Sequence, residues 1–275
     1  MSAVAFHRPK SVAEALALLE NEGARPLAGG ASMVAMMNAR LITPSAVVSL
    51  RDVAGLSGIS VESDGRLRIG AMTRHYETAD DVRLSGTLGC VRAAARSIAN
   101  PPVRNMGTMG GSISLADPAA DYPPALVAAG ATIEITGRSG VRRLPANEFF
   151  VDWYATALEP GELVTAIDLP PAKPGKAAYY KLAIVAGDFA IASVAISASQ
   201  AGAVSIAVGG CGPRPIRSDE ANARLTGRLS DAAAARAAGE ILAGLADPVD
   251  DVRASAEYRR IVIPRLLERA VRELA

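Results

Sequence analysis

Residues 103–121, Val-Arg-Asn-Met-Gly-Thr-Met-Gly-Gly-Ser-Ile-Ser-Leu-Ala-Asp-Pro-Ala-Ala-Asp, constrain the chain more than any other stretch. Three glycines (Gly107, Gly110, Gly111), two hydroxyls (Thr108, Ser112) and a closing acid (Asp121) share one short segment. Glycine lets a ligand approach bare backbone, and it tolerates φ > 0. Consecutive exposed N–H groups in such a segment form a concave anion-binding nest. A second glycine turn lies upstream in Pro26-Leu-Ala-Gly-Gly-Ala-Ser-Met33. Two turns of this kind point to a ligand with two phosphates and a polar tail, gripped from both sides. Hydroxyls and amides suit phosphate oxygens, and a carboxylate suits sugar-type hydroxyls.

A tight connection between elements explains a Gly-Gly pair alone as well as a ligand does. It explains less of the 107–121 segment, which carries more hydroxyl and acid than a turn needs. Other nucleotide signatures are absent. No Gly-x-Gly-x-x-Gly follows the first strand, and no Gly-Lys-Ser/Thr occurs. No Gly-x-Ser-x-Gly elbow supports nucleophilic catalysis. His7 and His75 lack metal-ligand spacing and read as structural or surface residues. Cys90 and Cys211 are too few to hold an iron–sulfur cluster or a structural zinc. They read as buried thiols in a reducing cytoplasm.

At 275 residues and 50% hydrophobic content the chain can bury a sizeable core in two or three units. Its net charge of +1 and lack of a basic block exclude a nucleic-acid partner. No apolar run reaches the roughly 18 residues of a membrane span. The N-terminus lacks the order of a signal peptide.

Residues 3–7 read as a strand. Ser11 caps a helix, with Glu14 at the capping-box spacing. A strand at 26–28, a helix over 31–40 and a strand at 46–50 complete a β-α-β-turn-α-β order. Strands at 58–62 and 67–69 bracket Ser63-Asp64-Gly65, a hairpin signal. A helix is expected over 85–99, ended by Asn100-Pro101-Pro102, with the glycine loop beyond it. A helix at 123–129, a hairpin of 132–136 with 142–144, and a strand at 163–169 follow. Residues 172–176, Ala-Lys-Pro-Gly-Lys, form the best linker, which puts a boundary near residue 174. Three alternating segments, 177–182, 191–199 and 204–208, predict an antiparallel sheet. Helical periodicity then covers 231–245 and 254–274.

Taken together, these segments resemble the FAD-binding medium subunit of the molybdenum hydroxylase family, which includes carbon monoxide and xanthine dehydrogenases. The resemblance rests on Leu27-Ala-Gly-Gly-Ala-Ser-Met33 with Met36-Met-Asn-x-Arg40-Leu, and on Val103-Arg-Asn-x-Gly-Thr-x-Gly-Gly-Ser112 with Asp117-Pro-Ala-Ala-Asp121. It continues through Gly161-Glu-Leu-Val-Thr-Ala-Ile-Asp-Leu-Pro170, Tyr180-Lys181 and Gly187-Asp-Phe-Ala190. It implies an α+β fold: a two-lobed PCMH-type FAD-binding domain plus a C-terminal domain of a three-stranded antiparallel sheet with helices. The lobes would be 1–55 and 56–172, and the C-terminal flavoprotein domain 173–275.

FAD would then lie extended between the lobes. The resemblance implies that Pro26, Leu27, Ala28, Gly29, Gly30, Ala31, Ser32 and Met33 wrap its diphosphate from one side. Thr108, Met109, Gly110, Gly111 and Ser112 would do so from the other. Asp121 would bind ribose or ribityl hydroxyls, and the backbone near Val164 would approach the adenine or isoalloxazine end. Lys181 would reach the flavin ring, where a cation near N1/O2 stabilises the reduced anionic form.

The implied partners are a molybdopterin-bearing large subunit, a small subunit with [2Fe–2S] clusters and an electron acceptor such as NAD or a quinone. The organic substrate would bind another chain. The chain departs from many relatives at 182–186, where they carry arginines and it has Leu-Ala-Ile-Val-Ala. Ala31 stands where relatives often have a longer polar side chain. Two rival functions use other features. A flavin-free scaffold would use the methionine-rich Met33–Met37 segment as an interface, although ordinary helix packing explains the same residues. A stand-alone flavin oxidase would need no partner, but no His or Cys is placed to tether the flavin.

Overall fold

The computed structural model describes residues 4–274. The first unit runs β1 (Ala5–His7), α1 (Val12–Leu19), β2 (Ala24–Leu27), α2 (Met33–Asn38) and β3 (Ala46–Ser49). Its strands form a parallel sheet in the order β1-β3-β2. This is the expected β-α-β-turn-α-β order, with residue 3 outside the described residues. Ser11 caps α1 by accepting from the Glu14 amide at 3.2 Å, and Glu14 accepts from the Lys10 amide at 2.7 Å. The helix α2 is shorter than expected and has no buried residue.

The second unit begins with the hairpin β4 (Ile59–Val61) and β5 (Leu67–Gly70). Helices α3 (His75–Asp80), α4 (Gly89–Ser97), α5 (Pro101–Met106), α6 (Met109–Leu115) and α7 (Tyr122–Ala128) follow. Then come β6 (Thr132–Gly137), β7 (Gly140–Pro145), α8 (Ala146–Phe149), a ribbon of β8 (Phe150–Asp152) with β9 (Ala155–Thr156), and β10 (Leu163–Leu169). An antiparallel sheet in the order β4-β5-β10-β6-β7 forms its floor. The central strand β10 is buried along its whole length, Thr165 and Asp168 included.

Two expectations need correction here. The helix expected over 85–99 begins only at Gly89, after a 3-10 turn at 86–88. Gly86 has φ +54, and its Cα is pressed against the Lys173 carbonyl, so a regular helix cannot run through it. The glycine-rich segment is not an open loop, because Met109–Leu115 is helical. Asn100 does more than end a helix: its side chain caps α5 by accepting from the Val103 amide at 3.1 Å.

The third unit is an antiparallel sheet of β11 (Gly175–Leu182), β12 (Ala192–Ser199) and β13 (Val204–Gly209). Helices α9 (Asp219–Leu225), α10 (Ala232–Gly244) and α11 (Ala256–Leu274) follow it. The period-2 pattern buries both faces. Val194, Ile196, Ile206 and Val208 join Leu242, Ile263 and Leu267 of α10 and α11 in one core. Tyr179, Ala195 and Ala207 join the core of the second unit, with Val91, Ala94 and Leu126 of α4 and α7. The alternating face of this sheet is therefore covered by the chain itself.

Candidate cofactor site

The first glycine turn leads from β2 into α2. Gly30 takes φ +84, a left-handed conformation that suits glycine and reverses the chain. The Gly30 and Ser32 carbonyls accept from Val34 and Met36. Among the described residues, the amides of Gly29, Gly30, Ala31, Ser32 and Met33 donate to no protein acceptor. Leu27 to Ala31 and Met33 are half-buried, while Pro26 and Ser32 are exposed. Five consecutive free amides on an accessible turn can satisfy anionic oxygens.

The second segment is built differently. Thr108 caps α6, with its hydroxyl accepting from the Gly111 amide at 3.2 Å and its carbonyl from Ser112 at 3.0 Å. Met109 donates to Thr73 O at 2.9 Å, and Gly110 donates to Ala71 O at 2.8 Å. The nest expected at Met109–Ser112 is therefore spent on three internal carbonyls and the Thr108 hydroxyl. The reason lies in packing. A Cβ on Gly110 would stand 2.5 Å from Ala71 Cβ and 2.7 Å from Ala71 O, so this glycine brings α6 onto the end of β5. Met109 is fully buried in the same core. What the segment presents to the first turn is the half-buried Gly111 and Ser112. Ser112 Oγ makes no hydrogen bond among the described residues.

The two segments touch. A Cβ on Gly29 would stand 1.9 Å from Met106 O and 3.0 Å from Gly107 Cα. A Cβ on Gly111 would meet Ala28 Cβ at 3.2 Å. The structure thus brings Ala28–Gly30 against Met106–Gly111, although they are about 80 residues apart in the chain. Val164 lies in β10 opposite Ile135, with its side chain buried. Only its backbone could face a ligand. The next residue, Thr165, sits at a register shift, and its carbonyl accepts from Ala71 N at 3.0 Å.

Asp121 and Lys181 are brought together at the seam between the second unit and the C-terminal sheet. Lys181 Nζ lies 2.9 Å from Asp121 Oδ1 and 3.2 Å from Oδ2, and both side chains are 7% exposed. Lys181 also donates to Ser97 O at 2.7 Å, and the Tyr179 hydroxyl donates to Asp121 Oδ1 at 2.8 Å. Burial pushes the Asp121 carboxyl above its ordinary pKa, against the opposing pull of Lys181. Burial likewise raises the Tyr179 phenol well above its ordinary value.

Sequence reasoning missed Tyr179, whose hydroxyl only the strand register shows to face Asp121. It also passed over His75, which is buried and held at a pKa of about 4, mainly by desolvation and also by the charge of Arg104. Cys90 and Cys211 are free and buried, each pushed up to about 12 by burial. No helix among the described residues is long and apolar enough to cross a membrane.

Residues 2–172 match the family model of the FAD binding domain in molybdopterin dehydrogenase. Residues 177–274 match that of the CO dehydrogenase flavoprotein C-terminal domain. The carbon monoxide dehydrogenase medium chain of Afipia carboxidovorans is 38% identical, over 97% of this chain and 94% of that one. The glyceraldehyde dehydrogenase medium chain of Sulfolobus acidocaldarius is 35% identical, over 98% of each. A crystal structure of Cu,Mo-CO dehydrogenase superposes with a TM-score of 0.91 at 38% identity, covering 98% of this chain and 97% of that chain. Quinoline 2-oxidoreductase from Pseudomonas putida 86 gives 0.91 at 30% identity, covering 99% and 96%. The fold is the expected α+β arrangement, with FAD as its cofactor, and the chain belongs to the FAD-binding medium subunits of the molybdenum hydroxylases, an oxidoreductase family.

Proposed function

We propose that the chain holds FAD across the contact between its two glycine segments and relays electrons between a partner subunit and an acceptor. One observation carries the site: five free amides, Gly29 to Met33, stand beside a second segment in which the amides of Met109 to Ser112 are satisfied. The donor set fits a diphosphate. Amides of the first turn would bind its oxygens, and the hydroxyls of Ser32 and Ser112 would add two donors. The bare Cα of Gly111 would admit the cofactor beside Met109 and Gly110, which shape the wall, and beside Thr108, whose amide donates to no acceptor among the described residues. Pro26, Leu27, Ala28 and the backbone near Val164 would flank it.

Lys181 has three N–H donors. Asp121 and Ser97 O occupy two directions, which leaves one to reach the flavin N1/O2 edge. Asp121, steadied by Tyr179, would aim that ammonium and offer its remaining lone pairs to ribityl or ribose hydroxyls. Bound FAD supplies chemistry that accepts single electrons and delivers pairs. The chain's residues bind it and set its electrostatic surroundings.

Names such as medium chain place the relatives in multi-subunit enzymes. On that pattern the donors here are [2Fe–2S] clusters of a small subunit, fed by a molybdopterin-bearing large subunit, and the acceptor is NAD, a quinone or another carrier. The working division is 1–55 and 56–172 for the two FAD lobes and 173–275 for the C-terminal domain, in a cytoplasmic enzyme.

The test is reconstitution of the purified chain with FAD, followed by absorbance and fluorescence. Uptake near one to one is expected. Ala31→Asp would place a carboxylate among the free amides at a half-buried position without disturbing the core. It should abolish uptake while the melting temperature of the flavin-free chain holds. Unchanged flavin content in Ala31→Asp would reject this site.

A further inference from the structure

His75 has no part in the function proposed above, yet it sits beneath the junction of the two glycine segments. It opens α3 and is 4% exposed. Its amide donates to Gly107 O at 3.1 Å. Its Nε2 points at Gly107, where an added Cβ would stand 2.4 Å away. Its Nδ1 lies 3.2 Å from the Tyr122 hydroxyl. The Thr78 hydroxyl gives its proton to Arg74 O at 3.4 Å, and the fully buried Tyr122 hydroxyl has His75 Nδ1 as its partner among the described residues. A hydroxyl has one proton to give. With no other acceptor for it among the described residues, Tyr122 gives that proton to Nδ1, and the neutral ring carries its own proton on Nε2.

Among the described residues, no group accepts that Nε2 proton. Nor is Nε2 sealed from solvent. The fully buried side-chain atoms without a partner, among the described residues, belong to Ser193, Arg253 and Arg259. A polar ring that is otherwise buried therefore points an unused donor at Gly107, the residue whose Cα also packs beside Gly29. The neighbouring amides of Met109 and Gly110 are already spent.

We infer that His75 is a further cofactor-binding residue, donating from Nε2–H to the diphosphate at the Gly107 corner. This rests on the FAD site proposed above. The ring acts as a neutral donor fixed by Tyr122, so its contribution does not titrate near the ordinary histidine value of about 6.5.

The test measures FAD affinity of the full chain by flavin fluorescence quenching at pH 5.5 and 7.5, with the melting temperature of each flavin-free variant alongside. His75→Leu keeps apolar bulk and loses the donor; it should weaken FAD binding about tenfold or more at both pH values, as for a hydrogen bond to a charged group. His75→Gln can aim an amide N–H at the same corner and should stay within about threefold of wild type. Tyr122→Phe retains the tilted ring contact but frees the tautomer, and it should weaken binding several-fold even if His75→Leu fails to fold. Wild-type affinity in His75→Leu or Tyr122→Phe would overturn the inference. So would equal losses in the Leu and Gln variants, which would make the ring packing alone, or a wild-type affinity that titrates near pH 6.5. A wild-type chain that takes up no FAD at all would instead remove the site on which the inference rests.

Discussion

Gly29→Ala isolates the contact on which the cofactor site depends. Gly29 does not need a positive φ, so an alanine backbone fits there without strain. The whole cost comes from one methyl group, which would stand 1.9 Å from Met106 O, 2.7 Å from Met106 C and 3.0 Å from Gly107 Cα. Ordinary contacts begin at 3.4 Å, so the two segments must part by about 1.5 Å along that direction. All three obstacles are backbone atoms. Gly107 is anchored by its amide to Val103 O at 2.7 Å and by its carbonyl to His75 N at 3.1 Å. The facing segment therefore cannot swing aside as a side chain would. Forcing a methyl into packed structure costs about 1–3 kcal/mol. Drawn from a ligand that needs both segments at their present spacing, that energy weakens binding about five- to 150-fold. The same cost lowers the melting temperature by about 2–4 °C per kcal/mol for a chain of this size class. FAD titration and thermal melting of the flavin-free chain measure the two effects. Gly55→Ala is the control: it has φ +78 and nothing within 4 Å, so it pays backbone strain without touching the site. Gly29→Ala binding FAD as tightly as wild type would refute the argument that the segments' separation is set for the cofactor.

Three further outcomes are expected. Lys181→Met leaves the Asp121 carboxylate buried without its cation and should cost about 3–5 kcal/mol in urea unfolding. Adding Asp121→Asn should recover much of that loss, whereas equal stability of the single and double variants would show that the pair is not coupled. Thr108→Val removes the cap on α6 and should cost about 1 kcal/mol, while Thr108→Ser should lose little; matching losses in both would point to the methyl group rather than the hydroxyl. Stability should also fall with acidity through His75. Its folded pKa of about 4 lies below the ordinary 6.5, so below pH 6.5 the unfolded chain binds a proton that the folded chain refuses. The loss begins near pH 6.5, is complete near 4 and approaches about 3 kcal/mol. His75→Gln should flatten the upper part of that slope, between pH 6.5 and 5, before the carboxylates titrate, and an unchanged slope would exclude His75 as its source.

The elements legible from the residues are those whose pattern is local. Ser63-Asp64-Gly65 marked the β4–β5 hairpin because Gly65 adopts the φ of +83 that such a turn needs. The period-2 alternation in 192–199 and 204–209 marked the C-terminal strands because both of their faces are buried. Helix α6 was not legible. Two glycines in seven residues disfavour a helix, and its first turn is held by the Thr108 cap together with the carbonyls of Ala71 and Thr73, which lie beyond β5. Helix α3 was missed because its start depends on the His75 contact with Gly107 rather than on a hydrophobic period. The site was half legible for the same reason. Gly29-Gly30 and Gly110-Gly111 look alike in composition, yet the amides of the first pair are free and those of the second are spent on Ala71 O and the Thr108 hydroxyl. Composition cannot tell a glycine that admits a ligand from one that admits a neighbouring strand.

The sheet of β11, β12 and β13 has a consequence for anyone who would cut the chain. Tyr179, Ala195 and Ala207 are interior residues of the unit that precedes them. A truncation at the linker would strip the roof from α4 and α7 and leave a wet, apolar scar where Val91, Ala94 and Leu126 now lie dry. A chimera that grafts the C-terminal region of one relative onto another should work only when the two helices beneath it travel as part of the graft. The inheritable module is defined by shared interior, and it begins some eighty residues before the linker.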